Sequence, residues 1–168
     1  MKKRKNGRTK GNSFERLVAK LLSNWWDEEF HRTPSSGGLH WKRDNRVTGD
    51  VVTPENSNFP FSIECKKVEG WNFEQLLKDT GEIKSWWCQC FKDSEEVGKI
   101  PLLIFSKNRS PIYYMTTKEV AEIIFESSEQ KNFFITKLNT FGADLFVFVG
   151  ILSDLCTKNK EEVIKKLL

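Results

Sequence analysis

Two stretches rich in β-branched and aromatic residues, separated by turn-forming residues, constrain the fold of this chain most strongly. Residues 47–53 and 59–68 have the composition of strands, and the five residues between them include Pro, Asn and Ser, which favour turns. The pattern predicts a β-hairpin centred on Ser57. In that register Asp50 and Glu64 face each other across the two strands, with side chains about 5 Å apart.

The predicted pairing of two carboxylates indicates a cation between them. Like charges directly opposite each other destabilise a sheet, and a hard divalent ion with oxygen ligands compensates for them. Because side chains alternate along a strand, Ser62, Glu64 and Lys66 share one face, which we expect to be polar. The opposite face, which we expect to lie in the core, carries Phe61, Ile63 and Cys65.

A lysine beside two carboxylates suits a reaction in which negative charge develops on phosphate oxygens. Lys66 would orient a water molecule and stabilise that charge. The alternative is a solvated strand face on which acidic and basic side chains merely alternate.

Positive charge is concentrated at the start of the chain. The first ten residues carry six cations and no acid, whereas the remaining 158 carry 21 basic and 23 acidic residues. This block predicts a flexible basic arm over residues 1–10, followed by a single domain over residues 11–168. The arm favours binding to nucleic acid; a solubilising tail or contact with another acidic partner is the alternative. Its cations are Lys2, Lys3, Arg4, Lys5, Arg8 and Lys10.

The sequence also indicates where the chain works. No apolar run approaches the roughly 20 residues of a membrane span, and the basic start lacks the apolar region of a secretory signal. We therefore expect a cytoplasmic protein, or one of the host-cell cytoplasm if the chain is viral. The cysteines form no CxxC pair and the two histidines lack finger-like spacing, so zinc is not expected. We predict reduced thiols at Cys65, Cys88, Cys90 and Cys156.

A helix is predicted after the arm, with Asn12 or Ser13 as its N-cap. Glu15 lies at the border of its apolar stripe, from where a carboxylate can reach inward. Its alternative role is a favourable negative charge in the first helical turn. The predicted core-facing stripe comprises Phe14, Leu17, Val18, Leu21, Leu22 and Trp25.

A short strand at residues 30–33 is predicted to lead into a loop of small residues. Ser35 and Ser36 in this loop offer hydroxyl groups to a phosphate backbone, although a plain linker is the alternative. Three cations suited to a nucleic-acid groove follow directly before the hairpin, namely Lys42, Arg43 and Arg46.

Four segments, taken in order, resemble a known family. They are K-G-N-S-F-E-R at residues 10–16, R-T-P-S-S-G-G at 32–38, G-D-V-V at 49–52 and I-E-C-K-K at 63–67. The combination is similar to the Holliday junction resolvases of archaeal and phage type, in the PD-(D/E)xK nuclease superfamily. The resemblance covers about the first 70 residues, and it departs from the superfamily motif at Gly49, where the motif has proline.

The resemblance implies a restriction-endonuclease-like core and a metal-dependent phosphodiesterase. Asp50 and Glu64 would bind Mg²⁺, with Mn²⁺ as a possible substitute, and the backbone carbonyl of Cys65 and the carboxylate of Glu15 would be further ligands. Lys66 would be the catalytic lysine. Ser35 or Ser36 would match the family's serine.

The expected function is that of a structure-selective DNA endonuclease that makes symmetric nicks in four-way junctions. Because two strands must be cut, we expect a homodimer. The alternatives are another nuclease of the superfamily, of restriction-like, repair or nicking type, and a DNA-binding module without catalysis.

The rest of the chain predicts an α/β fold with a mixed central sheet flanked by helices. The apolar side chains of the helix at residues 82–92 would pack in the core or, where exposed, at a dimer interface. The other predicted elements are a buried strand at 100–106, a strand at 110–115 paired with it, a helix from Thr116 or Thr117 through 125, strands at 132–138 and 144–149, and a helix at 161–168.

Overall fold

The first helix, α1 (Gly7–Trp26), presents one apolar stripe to the sheet that follows it. The computed structural model describes residues 7–34, 47–126, 128–129 and 131–168. Leu17 departs from the predicted stripe because it is 45% exposed, and Leu21 is only partly buried. The side chains that α1 buries recur at helical spacing and are Phe14, Val18, Ala19, Leu22, Trp25 and Trp26.

Because α1 begins at Gly7, the predicted N-cap at Asn12 or Ser13 is wrong. Ser13 Oγ instead donates to the carbonyl of Thr9 at 2.9 Å, one turn earlier. Asn12 Oδ1 accepts a hydrogen bond from Arg32 at 2.8 Å. Ser13 thus bonds to its own helix and Asn12 to Arg32, and neither side chain caps α1.

A small antiparallel sheet follows α1. Its strands are β1 (His31–Arg32), β2 (Val47–Thr48) and β3 (Val51–Val52), in the order β1-β3-β2. β1 confirms the predicted short strand. Gly49 and Asp50 connect β2 to β3, and the middle strand β3 pairs with both of its neighbours.

Five longer strands form the central sheet: β4 (Phe61–Lys67), β5 (Ile100–Ser106), β6 (Tyr113–Thr117), β7 (Phe134–Thr140) and β8 (Ala143–Ile151). Their order is β4-β5-β6-β8-β7, in which β4 is parallel to β5 and the other neighbours are antiparallel. The strands predicted in the second half of the chain are confirmed. β4, which carries the predicted catalytic residues, lies at one edge.

The predicted hairpin is wrong. β3 and β4 belong to different sheets, and a single parallel bridge between Gly49 and Ile63 links their neighbourhoods. Phe59, in the connecting segment, is buried against aromatic rings that include Trp26 and Phe30. This packing holds the connecting segment near the end of α1. The chain then runs into β4 parallel to the segment around Gly49, whereas a hairpin would require the two to be antiparallel.

Helices cover both faces of the central sheet. The helix predicted to start at Thr116 or Thr117 is confirmed, and Thr117 is its N-cap, because the Thr117 side chain accepts a hydrogen bond from the Val120 N–H. The terminal helix and the helix predicted at residues 82–92 are also confirmed. The helices after β4 are α2 (Phe73–Leu77), α3 (Glu82–Glu96), α4 (Lys118–Ile124), α5 (Leu152–Leu155) and α6 (Lys160–Leu167).

Two apolar cores lie on opposite faces of the sheet. On one face α1, α4, α5 and α6 pack over side chains such as Ile63 and Ile104. On the other face α2 and α3 pack over Leu103 and Phe105. The predicted α/β architecture, a mixed sheet flanked by helices, is therefore confirmed.

The cysteines are free thiols, as predicted, and Cys65 is buried in the core. Burial is the largest cause of a Cys65 pKa well above the ordinary value for a thiol. Among the helices in the described part of the chain, none is long and apolar enough to cross a membrane.

Candidate active site

Asp50 is bound to the open edge of β4. Its backbone N–H donates to the carbonyl of Ile63 at 2.8 Å, and its Oδ2 accepts from the backbone N–H of Cys65 at 2.7 Å. The N–H and C=O of one residue point to the same side of a strand, so the Cys65 carbonyl is directed toward the edge that Asp50 occupies. Backbone contacts thus fix this carboxylate against the strand that carries Glu64.

Gly49 permits this approach. Its φ is +64°, and a Cβ added there would lie 1.9 Å from the carbonyl oxygen of Ile63. Proline cannot adopt that backbone, because its ring holds φ near −65°. The departure from the superfamily's proline therefore has a local cause: this chain brings Asp50 to β4 through a left-handed residue that has no side chain.

Glu64 and Lys66 lie on the same face of β4, as strand alternation predicts. Lys66 Nζ is 2.7 Å from Glu64 Oε1. Glu64 is only 9% exposed and Ser62 only 2%, so this face is not the open polar surface that the alternation indicated. The face is buried because α3 packs across it and places Cys90 close to Glu64.

Burial and nearby charges perturb the carboxylate of Asp50. Burial, followed by the charge of Glu64, raises the pKa of Asp50 to about 7, against the opposing hydrogen bond from the Cys65 N–H. The nearby charge of Glu15 raises it further. Although the hairpin is wrong, the predicted closeness of Asp50 and Glu64 is therefore present in the structure.

Lys66 is the cation of this cluster. Burial lowers the pKa of its ammonium group, but the hydrogen bond and charge of Glu64 outweigh that effect and leave the pKa above its ordinary value. Lys66 thus carries its charge at neutral pH, and Glu64 holds it beside Asp50.

Glu15 reaches this neighbourhood from α1. Its Oε2 pairs with Arg32 Nε on β1, and Arg32 also donates from Nη2 to Asn12 Oδ1 at 2.8 Å. Both side chains of the pair are more than four-fifths buried. The sequence predicted no role for Arg32, and for Asn12 only that of a helix N-cap. The sequence signal that could have indicated the pairing is the arginine in the short strand after the helix that carries Glu15.

The donor set fits a hard divalent cation. The side chains supply carboxylate oxygens, and the Cys65 carbonyl at the strand edge supplies one more oxygen. Mg²⁺ binds oxygen ligands of these kinds together with water. Among the residues that the structure describes, no group of three or more His, Cys, Asp and Glu side chains is arranged to hold a metal. Two carboxylates, Asp50 and Glu64, would therefore be the main protein ligands, while Arg32 competes for Glu15.

Two of the predicted DNA-contacting residues lie in the described part of the chain. Arg8 and Lys10 lie in α1, where residues 7–10 of the predicted basic arm are helical. The others lie outside the described residues: Lys3, Arg4, Lys5, Ser35, Ser36, Lys42, Arg43 and Arg46.

Comparison with known proteins gives one family. The model of a family described as "Phage putative PDDEXK endonuclease" matches residues 6–166. The chain is also 30% identical over 108 residues to Protein D14 of Escherichia phage T5. The alignment covers 62% of this chain and 66% of the phage protein, so it spans just under two thirds of that relative's length. No solved structure gives a significant match.

Proposed function

The chain belongs to the phage PDDEXK endonuclease family, and from this premise we propose that it is a metal-dependent, structure-selective DNA endonuclease that resolves four-way junctions. The observation that carries the proposal is the cluster at the edge of β4. Glu64 lies close enough to Asp50 for its charge, after burial, to contribute to the raised pKa of Asp50, and Lys66 Nζ lies 2.7 Å from Glu64 Oε1. Two oxygen ligands and one lysine form the set that phosphodiester hydrolysis needs.

Asp50 and Glu64 would hold Mg²⁺ or Mn²⁺, with the Cys65 carbonyl as a further ligand and Glu15 as a direct or water-mediated one. When bound, the ion would polarise the attacking water and screen the charge on the phosphate. The raised pKa of Asp50 supports this assignment, since a buried carboxylate pair without a cation is electrostatically unfavourable.

Lys66 would act directly on the reacting groups. Its ammonium, aligned by Glu64, would donate a hydrogen bond to the attacking water or to a non-bridging phosphate oxygen. Either contact stabilises the charge that accumulates in the transition state more than the charge of the ground state. The buried setting strengthens the effect because less water screens it.

Selectivity for a four-way junction would require two such sites. A junction is resolved by cutting two strands symmetrically, so the active species would be a homodimer with a two-fold axis. It would act on DNA in the cytoplasm, that of the host if the chain is encoded by a phage, as its relative is. Full junction-cleaving activity from a species with monomeric mass would contradict this part of the proposal.

The test compares cleavage of a labelled four-way junction with cleavage of a linear duplex of matching sequence, in Mg²⁺. It uses the wild type, Asp50→Asn, and Asp144→Asn as a surface control whose carboxylate pairs only loosely with Lys137. Symmetric nicks in the junction alone, lost in Asp50→Asn and kept in Asp144→Asn, are the expected result. Equal cutting of the duplex would replace the resolvase with another nuclease of the superfamily, and binding without cleavage would leave a DNA-binding module.

A further inference from the structure

A groove of about 910 Å³ lies beside the candidate active site, between α1 and the ends of β4 and β5. It is separate from the carboxylate cluster, because neither Asp50 nor Glu64 lines it. Its lining includes both aliphatic and polar side chains. The residues that matter here are the aliphatic Leu17 and Ile112 and the polar Lys67, Ser106, Asn108 and Ser110.

Lys67 connects this groove to the proposed chemistry. It follows Lys66 in β4, so strand alternation places the two lysines on opposite faces of the same strand end. Lys67 Nζ donates to Ser106 Oγ at 3.2 Å and to the Lys107 carbonyl at 3.0 Å, and it lies 5.6 Å from the centre of the Phe14 ring. These contacts use two of its three N–H donors and hold the ammonium at the groove wall.

The charge balance of the groove favours a single anionic group. Lys10, across from Lys67, forms an ion pair with Glu69 at 2.6 Å. Glu69 also accepts the backbone N–H of Asn108 at 2.9 Å, which fixes its position. Glu69 therefore compensates Lys10, and Lys67 supplies the net positive charge of the described lining. One phosphodiester group matches that charge.

The two aliphatic side chains indicate that the groove binds more than a DNA backbone. Leu17 is 45% exposed although it belongs to the helix that covers the core. A groove that held only the phosphates of a duplex would need cations and hydroxyls, not an exposed leucine. An apolar surface beside a cation suits the face of a base joined to its phosphate, and the volume is within the range of sites for small ligands rather than for a double helix.

We propose that this groove is a subsite for one unpaired nucleotide of the substrate, on the face of β4 opposite the phosphodiester held at Lys66. The nucleotide's phosphate contacts Lys67, its base packs against Leu17 and Ile112, and Asn108 and Ser110 reach the base edge. This inference rests on the proposed endonuclease function and specifies its substrate class, because it requires a base that has left the duplex stack.

The experiment measures DNA binding by the full chain without divalent metal, so that it does not depend on cleavage. The ligands are a linear duplex and a four-way junction of matching sequence with one unpaired nucleotide at its branch point. Leu17→Glu is compared with Leu77→Glu, which places the same charge on another exposed leucine, 59% exposed on α2 and outside the groove. We expect Leu17→Glu to weaken binding of the branched DNA about tenfold and of the duplex less than about twofold, with Leu77→Glu unchanged. Equal loss on both DNAs, or no loss, would overturn the proposal.

A second measurement needs no variant. 5-Iodouracil at the unpaired position of the branched DNA is cross-linked to the wild-type protein, and the linked peptide is identified by mass spectrometry. A cross-link to the peptide that contains Leu17 or to residues 108–112 supports the subsite, and one exclusively elsewhere rejects it. If groove binding is found but no DNA is cut with Mg²⁺, the subsite stands and the endonuclease proposal falls. If junctions are cut but neither measurement detects binding in the groove, the endonuclease proposal stands and the subsite falls.

Discussion

The Asp50 carboxylate accepts a hydrogen bond at 2.7 Å from the backbone N–H of Cys65, at the edge of the central sheet. This bond occupies one carboxylate oxygen, Oδ2, and fixes where the other can lie. It holds the carboxylate beside Glu64 in spite of their like charge. Burial, followed by the charge of Glu64, raises the pKa of Asp50 to about 7. The candidate site therefore stores electrostatic strain that a bound cation would relieve.

Asp50→Asn is expected to stabilise the metal-free protein at pH 8. A carboxyl whose pKa rises from 3.8 to about 7 on folding contributes fully to stability below about pH 4, and that contribution is lost as the pH rises through 7. Asparagine keeps the acceptor for Cys65 N–H without the charge, so the variant should gain about 2 kcal/mol at pH 8 and little at pH 4. Denaturant unfolding in EDTA at both pH values checks this, with Asp144→Asn as the surface control.

Adding a divalent metal is expected to reverse the stability difference between the wild type and Asp50→Asn. Mg²⁺ or Mn²⁺ at pH 8 should raise the unfolding midpoint of the wild type by mass action, and should do so much less in Asp50→Asn. Ca²⁺ is expected to stabilise without supporting cleavage, and it separates binding from chemistry. An equal shift in both proteins would show that the ion binds away from Asp50.

Gly49→Ala is expected to be far more destabilising than Gly142→Ala. Both glycines have positive φ, +64° and +86°, but only at position 49 would the new Cβ collide with backbone, 1.9 Å from the carbonyl oxygen of Ile63. The Gly142 variant measures the cost of the left-handed conformation alone, about 1–2 kcal/mol. Gly49→Ala should exceed it by a further 2 kcal/mol or so, and should also impair cleavage because Asp50 moves. Similar unfolding free energies for both variants would contradict the close approach.

The positions of the helices and strands could be predicted from sequence more reliably than the pairing of the strands. Helical periodicity located α1, and a nearly continuous apolar run located the buried strand β5, because the order of apolar side chains along the chain is a local property. The hairpin failed because counting outward from Ser57 presumed that the two runs pair with each other. The burial of Phe59 among aromatic rings depends on tertiary packing, which the counting did not include.

The candidate site shows the same division. Alternation correctly put Glu64 and Lys66 on one face, but it could not indicate that α3 would cover that face. The nearness of Asp50 and Glu64 was predicted, whereas the contact that produces it, a parallel bridge at Gly49, was not. Arg32 was missed because its pairing with Glu15 joins two elements 17 residues apart.

The ion pair between Glu15 and Arg32 is expected to couple α1 to the small sheet. Both side chains are largely buried, so each charge left without its partner would be costly. Glu15→Gln and Arg32→Gln should each lower the free energy of unfolding by about 1–3 kcal/mol, and the double variant by clearly less than their sum. A double-mutant cycle by denaturant unfolding measures the coupling; a coupling energy below about 0.5 kcal/mol, as for an exposed pair, would rule out this role.

Lys66→Gln is expected to abolish most cleavage while leaving the fold and DNA binding nearly unchanged. The ammonium of Lys66, aligned by Glu64 at 2.7 Å, would act only when charge develops on the phosphate, so its loss should lower kcat about 10²–10³-fold with little change in KM. Lys84→Gln is a matched control, because Lys84 is similarly half-buried and also forms an ion pair. Its Nζ lies 2.8 Å from Asp79 Oδ1, and this pair is not part of the cluster. Single-turnover cleavage of a junction at saturating protein isolates the chemical step. A rate for Lys66→Gln within a few-fold of the Lys84→Gln rate would mean that Lys66 serves only to compensate the buried Glu64.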